Sequence, residues 1–324
     1  MSRVLVTGVT GFIGAHVAKH LIKEGNDVFG VARTLPAMAY NPLYLLDTIE
    51  GLHLTGMDLC DYNRFQDYIQ SQKIEAIYHF ASQSVVSQGL IGPYNTFRNN
   101  TLATLSVLEA CRIHKIPSLI FTSDKVYGPD HSVVSEDSPY SVGSTYESSK
   151  VIQDVMALSY EKTFDMQSMV VRSCNVYGPA DLEMSRVIPD TIVSCIEGKK
   201  PLLEESKGRM IRTYIYIDDL VSALHHVFCK YLECMKDGSC SFLSPVNVGS
   251  HNVISTGELK RKICDLFSTE PELVPDSGSM KEIGSQIVQW HKLENSGWSP
   301  QISLDEGLDN TSHWWVEWWE KYKR

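Results

Sequence analysis

Two groups of ionisable and hydroxyl side chains, separated by a short stretch of chain, could do chemistry together. Tyr146 and Lys150 have the spacing of one helical turn, so a helix would bring the phenol and the ammonium to the same face. A free tyrosine has a pKa of about 10, and a nearby ammonium favours the phenolate. The pair can therefore take the proton of an alcohol while a hydride leaves its carbon.

Thr122, Ser123, Asp124 and Lys125 form the other group. Ser123 or Thr122 could hydrogen-bond the alcohol oxygen and hold it in line with the phenol. Asp124 is a candidate acid, and Lys125 is a candidate base or a group that assists one. Because simple hydride transfer does not need this acid/base pair, the sequence predicts that elimination of water follows the oxidation.

Lys125 leaves an alternative open. An ammonium cannot abstract a proton, so a lysine base needs a pKa lowered by burial or by neighbouring cations. Adjacent side chains of a strand point to opposite faces, so Asp124 and Lys125 reach one site only if the backbone turns after Ser123. If they are instead a strand-end carboxylate and a solvated cation, the sequence predicts an enzyme that needs only a hydroxyl, Tyr146 and Lys150.

A glycine-rich turn near the start of the chain predicts a dinucleotide site. Val4–Thr7 has the pattern of a short buried strand, Ala15–Lys23 has helical spacing, and Asp27–Ala32 completes a βαβ unit. Glycines between the first strand and the helix would let the backbone approach a pyrophosphate, which the helix N-terminus would bind. The residues expected to do this are Gly8, Gly11, Phe12, Ile13 and Gly14.

The end of the second strand bears on which dinucleotide is bound. An acidic residue there would bind the ribose 2′-hydroxyl of NAD, whereas an arginine suits the 2′-phosphate of NADP. The residues are Ala32 and Arg33, without a carboxylate, which favours NADP; Arg33 could equally stack on adenine or face solvent. Asp58 and Leu59 are candidates for an adenine contact, and a loop-capping role is the alternative for Asp58.

Short apolar strands alternate with helical stretches in the first half of the chain. Further buried strands are predicted over Ala76–Phe80, Leu119–Thr122 and Met169–Arg172, and helices over Asn99–His114 and Tyr146–Thr163. This alternation is typical of a doubly wound parallel sheet of the Rossmann type. The predicted fold class is therefore α/β.

The alternation weakens after Asn175, where prolines separate shorter elements. We expect a dinucleotide-binding Rossmann domain over residues 1–174 and a smaller, mixed substrate-binding domain over residues 175–324. The chain should return to the first domain at about residues 211–250, beginning with Ile211–Leu224. The tryptophans of 314–319 share one helical stripe and should pack on the domain rather than stack on a ligand.

Composition and charge narrow the class of protein. The 324 residues are 43% apolar and 21% charged, as in an ordinary globular protein, and the net charge of −10 argues against a nucleic-acid binder. No apolar run approaches the roughly 20 residues that span a bilayer, and no signal peptide precedes the first strand, so we expect a cytoplasmic protein. The eight cysteines lack metal-binding spacing, so we expect reduced thiols and no metal.

Several motifs together resemble the extended short-chain dehydrogenase/reductases that act on nucleotide sugars. Within that family, the Thr-Ser-Asp-Lys run and the segment Arg186–Asp190 resemble the CDP-glucose 4,6-dehydratase branch. Most 4,6-dehydratases use Glu as the base, where this chain has Lys125. The motifs that carry the resemblance are Gly8-x-x-Gly11-x-x-Gly14, His79–Gln83, Asn100, Thr122–Gly128, Tyr146–Lys150, Arg172–Gly178 and Arg212–Asp219.

The resemblance implies a nucleotide-sugar 4,6-dehydratase with a tightly held NAD or NADP that is regenerated in each cycle. The substrate would be a nucleotide diphosphate hexose, oxidised at C4, dehydrated across C5 and C6, and reduced at C6 to a 4-keto-6-deoxy sugar. It places Arg212 on the diphosphate and Asn175 on the sugar or diphosphate, with Arg186 in the segment that covers the cleft; each arginine could instead be a surface charge. Tyr146 and Lys150 would also contact the cofactor.

Two other functions remain open at this point. A nucleotide-sugar 4-epimerase would need only the hydroxyl, Tyr146 and Lys150. A non-catalytic dinucleotide sensor is the more remote alternative, since such folds can report redox state by binding alone. The resemblance also implies a homodimer formed through the helices Asn99–His114 and Tyr146–Thr163.

Overall fold

The computed structural model describes residues 2–35, 41–237, 244–276 and 284–322. In chain order the strands are β1 (Arg3–Thr7), β2 (Asp27–Ala32), β3 (Leu52–Gly56), β4 (Ala76–His79), β5 (Ser118–Ser123), β6 (Val133–Val134), β7 (Ser168–Ser173), β8 (Asn175–Tyr177), β9 (Leu202–Glu204), β10 (Ile211–Tyr216), β11 (Val246–Val248), β12 (Val253–Ser255), β13 (Glu272–Val274) and β14 (Ile287–Val288).

The α-helices are α1 (Phe12–Lys23), α2 (Pro42–Leu45), α3 (Tyr62–Gln72), α4 (Val86–Ile91), α5 (Pro93–Phe97), α6 (Ala103–His114), α7 (Thr145–Phe164), α8 (Val187–Ile196), α9 (Glu205–Gly208), α10 (Ile217–Asp237), α11 (Thr256–Leu266), α12 (His291–Asn295) and α13 (Leu304–Tyr322). A π-helical turn, Arg98–Leu102, joins α5 to α6, and a 3₁₀ turn, Asp124–Tyr127, follows β5.

A seven-stranded parallel sheet forms the centre of the fold, in the order β11-β7-β5-β4-β1-β2-β3. Side chains of β1 alternate between its faces: Val4 and Val6 join one apolar core with α1 and α10, and Leu5 joins another with α3 and α6. Helices therefore cover both faces of the sheet. The predicted doubly wound α/β fold is confirmed.

Shorter sheets accompany the central sheet. β10 pairs with β12 in antiparallel and with β8 in parallel orientation, while β13 pairs with β9 and β14 with β6. The strand from Ile211 lies in the small mixed sheet, and the return of the chain to the first domain at about residues 211–250 stays a prediction. The chain rejoins the central sheet through α10, which packs against α1, and β11, which pairs with β7. The domain boundary at residue 174 stays a prediction.

The prediction of a regular helix from Asn99 was wrong at its start. The chain is already helical from Pro93 and passes through the π-turn before α6 begins. Asn100 explains the irregularity, because its buried side chain bonds the backbone of Gln83 and the hydroxyl of Ser149. The turn therefore fixes the loop after β4 against α7.

Packing of the C-terminal tryptophans is confirmed: Trp315 and Trp318 are buried, and Trp314 and Trp319 pack against the same core. The seven cysteines among the described residues are free thiols, and Cys240 lies outside those residues. Within the described part of the chain, no helix has the length and apolar character needed to cross a membrane.

A buried ion pair joins α7 to β7. Oδ2 of Asp154 lies 2.6 Å from Nη2 of Arg172, and the two side chains are 0% and 3% exposed. Thr122 on β5 donates to Oδ1 of Asp154 at 2.7 Å, and Tyr140 donates to Oδ2 at 2.7 Å. A buried carboxylate with this many donors is stable only while they all remain in place.

We predict that Arg172→Met lowers the free energy of unfolding by about 3–5 kcal/mol, because Asp154 is left as an unpaired buried charge. Urea denaturation monitored by circular dichroism measures the change. Arg112→Met is the matched control, since it removes an exposed pair with Glu109 and should change stability little. Equal losses in the two variants would contradict the importance of the buried pair.

Candidate active site

A cleft of about 960 Å³ lies at the carboxyl ends of the central strands, where doubly wound sheets bind ligands. Every residue that the sequence nominated for the site lines it. These residues are Gly8, Gly11, Phe12, Ile13, Gly14, Arg33, Asp58, Leu59, Thr122, Ser123, Asp124, Lys125, Tyr146, Lys150, Asn175, Arg186 and Arg212. Their contacts differ from the predicted ones at several positions.

The glycine turn between β1 and α1 has no room for side chains. Gly8 adopts φ +66°, and a Cβ there would lie 2.7 Å from the backbone nitrogen of Ala81. A Cβ on Gly14 would overlap the carbonyl oxygen of Gly8. Gly11 is the N-cap of α1, and no side chain caps that helix. The tight turn and the uncapped helix N-terminus fit the pyrophosphate of a dinucleotide.

His79 holds the turn from the neighbouring strand. Its Nδ1 lies 2.7 Å from Oγ1 of Thr7 on β1, and its Nε2 lies 2.9 Å from Oγ1 of Thr104 on α6. The Thr7 oxygen also accepts from the backbone of Ala81. Burial lowers the pKa of His79 to about 3, so the imidazole is a neutral structural link and not a proton donor for the reaction.

Two guanidinium groups lie at the end of the cleft beyond β2. Arg33 is exposed and donates to Oδ1 of Asn99 at 3.2 Å, and Arg98 donates to the same oxygen at 3.4 Å. Asp58 is paired with Arg98 at 2.9 Å and accepts from the backbone of Cys60. Sequence reasoning missed Arg98, because only the π-turn brings it beside Arg33.

Tyr146 and Lys150 lie on the first turns of α7, which begins after the N-cap Ser144. Their side chains are buried, and Lys150 donates to Oγ of Ser82 at 2.9 Å. Burial lowers the pKa of Lys150 to about 7 and raises the pKa of Tyr146 to about 12. Desolvation is the largest effect on the phenol here, and the expected stabilisation of the phenolate by the ammonium stays a prediction.

The chain turns sharply after Ser123. The Ser123 hydroxyl accepts from the backbone of Lys125 at 3.3 Å and donates to Oδ1 of Asp124 at 3.0 Å, which starts the 3₁₀ turn. Nζ of Lys125 lies 2.8 Å from Oδ2 of Asp124 and 2.8 Å from Oε1 of Gln286. The turn that the two side chains need to meet is present, and with 15% exposure the Lys125 side chain is not a solvated cation.

Thr122 and Ser123 face opposite sides of β5. The Thr122 hydroxyl donates to Asp154 and to the carbonyl of Val171, both away from the cleft. Ser123 lies beside Tyr146, where its hydrogen bond opposes the rise that burial causes in the pKa of the phenol. The hydroxyl of Thr122 is therefore engaged within the protein, and its predicted contact with the substrate stays a prediction, whereas Ser123 lies beside the phenol.

Asn175 and Arg212 lie on adjacent strands of the small sheet. Nδ2 of Asn175, at the start of β8, donates to the carbonyl of Thr213 at 3.1 Å. Arg212 on β10 donates to the carbonyl oxygens of Ile211 at 3.0 Å and Gly284 at 2.6 Å. Both residues line the cleft.

Arg186 lies at the N-cap of α8 and pairs with Asp181 at 2.7 Å. Its charge acts on the Tyr146 phenol against the effect of burial, which places the guanidinium on the reactive side of the cleft. Asp181 also lines the cleft, and burial raises the pKa of its carboxyl. Sequence reasoning missed Asp181 although it lies only five residues before Arg186.

Comparison with known proteins agrees with the fold and the family resemblance. The model of the NAD dependent epimerase/dehydratase family matches residues 4–235. A dTDP-glucose 4,6-dehydratase of Escherichia coli is 26% identical over 365 residues, covering 98% of this chain and 96% of that protein. One of Neisseria meningitidis is 25% identical over 361 residues, covering 99% of this chain and 96% of that protein.

Solved structures show the same architecture. A dTDP-glucose 4,6-dehydratase of Bacillus anthracis in complex with NAD has a TM-score of 0.84 at 23% identity, covering 100% of this chain and 99% of that chain. A UDP-glucose 4-epimerase of Thermotoga maritima with UDP-glucose has a TM-score of 0.82 at 21% identity, covering 97% and 99%. Because dehydratases and epimerases share the fold, the choice between them depends on the site residues.

We predict that Lys150→Met is stabilised relative to the wild type at neutral pH and that this advantage shrinks as pH rises. The pKa of Lys150 is about 7 in the folded state, against an ordinary value of 10.5, so between these values the unfolded chain binds more protons. The contribution of Lys150 to the unfolding free energy of the wild type therefore rises with pH in that window. The variant has no titrating group at this position and lacks that contribution.

Urea denaturation of the cofactor-free wild type and variant across that window measures the difference. Other titrating groups are common to both proteins and cancel on subtraction. A stability difference that stays constant with pH would contradict the buried, easily neutralised amine.

Proposed function

Because the chain belongs to the NAD dependent epimerase/dehydratase family, we propose that it is a nucleotide-sugar 4,6-dehydratase. The reaction would convert a nucleotide diphosphate hexose into its 4-keto-6-deoxy derivative. The observation that carries the proposal is the Asp124–Lys125 pair, whose charged atoms lie 2.8 Å apart next to Ser123 in the cleft. An enzyme limited to hydride transfer has no use for such a pair beside its tyrosine.

The oxidation half of the reaction would use Tyr146, Ser123 and Lys150. Tyr146 accepts the proton of the sugar O4 while Ser123 holds that oxygen by a hydrogen bond. When bound, the oxidised dinucleotide would accept hydride from C4, return it at C6, and add a positive charge that favours the Tyr146 phenolate. Lys150, fixed by Ser82, supplies the second cation whenever it is protonated.

The elimination half would use the Asp124–Lys125 pair. The new C4 ketone acidifies the C5 proton, which the neutral amine of Lys125 accepts. Protonated Asp124 gives its proton to the C6 hydroxyl, which leaves as water while the C5–C6 double bond forms. The pair would then be a carboxylate and an ammonium, whose charged atoms lie 2.8 Å apart. As hydride returns to C6, the Lys125 ammonium donates a proton to C5, and the proton that Tyr146 took from O4 passes to Asp124, which restores the starting form.

The substrate side of the cleft suits a diphosphate. Arg212 and Arg186 supply guanidinium groups, which match phosphate oxygens, and Asn175 lines the same cleft. The Thr122–Lys125 motif resembles CDP-glucose enzymes, whereas the relatives found are named dTDP-glucose enzymes. We propose CDP-glucose as the substrate, with dTDP-glucose as the comparison.

For the cofactor we propose NADP over NAD. No carboxylate follows β2, and Arg33 and Arg98 share Asn99 at the end of the cleft where a ribose 2′-phosphate would lie. The NAD named in the Bacillus anthracis structure belongs to that protein.

From the family resemblance we also propose a homodimer through α6 and α7, and a substrate domain that begins near residue 175.

A nucleotide-sugar 4-epimerase is the second candidate. One observation favours it: Lys125 donates to both Asp124 and Gln286, and an amine that remains protonated in those contacts cannot accept the C5 proton. An epimerase would leave the mass of the sugar unchanged.

We predict that the wild type converts CDP-glucose or dTDP-glucose into a product lighter by one water, with solvent deuterium incorporated at C5. Mass spectrometry of the reaction in deuterium oxide measures both. An unchanged mass with inverted C4 would identify the epimerase instead.

Tyr146→Phe should lower the rate of cofactor reduction by at least about 10²-fold, the usual contribution of a general base. In Lys125→Met, elimination should fall much further than cofactor reduction.

We predict that Arg33→Glu weakens NADP binding by at least about tenfold relative to NAD, because a charge-assisted contact to the 2′-phosphate is replaced by repulsion. Fluorescence titration of the cofactor-free protein with each dinucleotide measures the two affinities. Lys73→Glu makes the same charge change at an exposed position at the end of α3 and should leave both affinities unchanged. Equal weakening for NAD and NADP would remove the argument for NADP.

A further inference from the structure

Gln286 lies outside every sequence motif, yet its side chain is completely buried. It lies against the 3₁₀ turn Asp124–Tyr127, which we call the acid/base turn. It precedes β14, whose Ile287 and Val288 pair with β6. Its backbone forms a parallel bridge with Arg212 and donates to the carbonyl of Ile211 at 2.9 Å. A residue of the shorter sheets therefore reaches across to the turn that follows β5.

The carboxamide of Gln286 bonds to three atoms of that turn. Its Oε1 accepts from Nζ of Lys125 at 2.8 Å. Its Nε2 donates to the carbonyl oxygens of Asp124 at 3.1 Å and Gly128 at 3.4 Å. Both amide protons and the amide oxygen are thus used between residues 124 and 128, which fixes the backbone of the turn and the end of the lysine side chain together.

We propose that Gln286 is a positioning residue for the elimination half of the reaction, holding the Lys125 amine at Asp124 and the sugar C5–C6 bond. The inference deepens the proposed function and rests on it. A lysine side chain has several rotatable bonds, so a single contact to Asp124 would leave its nitrogen free to swing. The contact from Gln286 removes that freedom.

The neutral amide also suits a Lys125 amine that accepts and returns a proton. A carboxylate at this position would hold Lys125 as an ammonium, because it stabilises only the charged form. It would also lose the amide protons that bond the carbonyl oxygens of Asp124 and Gly128. A leucine would remove all three contacts. These two substitutions therefore disturb the base in different ways while Tyr146 and Lys150 stay in place.

Arg212 connects this residue to the diphosphate. Because Arg212 and Gln286 are register partners and Arg212 also donates to the carbonyl of Gly284, both belong to one hydrogen-bonded segment. A diphosphate bound to Arg212 would therefore contact the same hydrogen-bonded segment from which Gln286 holds the acid/base turn. Elimination should depend on Gln286, whereas hydride transfer at C4 should not.

The test compares Gln286→Leu and Gln286→Glu with the wild type and with Gln289→Leu. Gln289 lies on the other side of β14 and is exposed, so its substitution makes the same chemical change away from the turn. Rapid mixing with CDP-glucose or dTDP-glucose follows cofactor reduction by absorbance, and mass spectrometry follows deuterium at C5 and loss of water. Circular dichroism reports whether each variant is folded.

We expect both Gln286 variants to lose at least about tenfold in the rate of water loss, the effect of removing a hydrogen bond to a charged group. The first cofactor reduction should change by less than about threefold, so that reduced cofactor accumulates; Gln289→Leu should resemble the wild type. If Gln286→Leu is unfolded, the rates of water loss and cofactor reduction in Gln286→Glu test the inference, because this variant keeps the volume and the polarity of the site.

Equal losses in reduction and water release, or no loss in either, would overturn the inference. A double-mutant cycle adds a second criterion: in a Lys125→Met background the Gln286→Glu effect on water loss should be smaller than in the wild type, and an undiminished effect would also overturn the inference. Failure of the proposed function is distinguished beforehand, because the wild type would then release no water from either sugar nucleotide.

Discussion

The buried ion pair between Asp154 and Arg172 is the interaction on which the geometry of the site depends. Both oxygens of Asp154 are shared between the arginine and the hydroxyls of Thr122 and Tyr140, so the pair anchors the end of β5 and the middle of α7 at one point. Arg172 also donates to Tyr127, the last residue of the acid/base turn. The two catalytic groups recognised in the sequence are therefore held by one satisfied, buried charge network, and loosening it would move both.

The same network affects the pKa of the Lys150 amine. Asp154 lies one helical turn beyond Lys150 and raises its pKa, but burial has the larger effect and the net pKa is lowered. Burial acts in the opposite direction on Tyr146, so the cofactor-free site favours an uncharged phenol and a readily neutralised amine. In the reaction we propose, the protein would provide a desolvated position for the alcohol, and the charge that makes the phenol a base would arrive with the ligands. A tyrosine and a lysine one turn apart do not by themselves provide an ionised base.

The sequence predicts the parts of this molecule that depend on local pattern. β2 was predicted to the residue, and the glycine turn, the buried strands and the tryptophan stripe of α13 follow from spacing and apolarity. The π-turn around Asn100 could not be predicted, because tertiary hydrogen bonds to Gln83 and Ser149 replace the regular helix. The hydroxyl of Thr122 faces Asp154 because of strand alternation, which a motif of adjacent letters does not show. Only the folded chain shows that Asp181 lines the cleft and that Arg98 pairs with Asp58 beside it.

The two halves of the site are supported by different parts of the chain. Tyr146 and Lys150 lie on α7, which the ion pair and Asn100 tie to the central sheet, so the oxidation half belongs to the dinucleotide-binding framework. The acid/base turn is attached to that framework at Ser123 and Tyr127. Its other contact is the hydrogen bond from Gln286, which lies next to β14 in the shorter sheets. Substitutions in those sheets can therefore alter what happens after C4 oxidation without displacing the hydride-transfer residues. In the function we propose, the oxidation thus depends on one element of the fold, and the fate of the ketone depends on side chains that a second element positions.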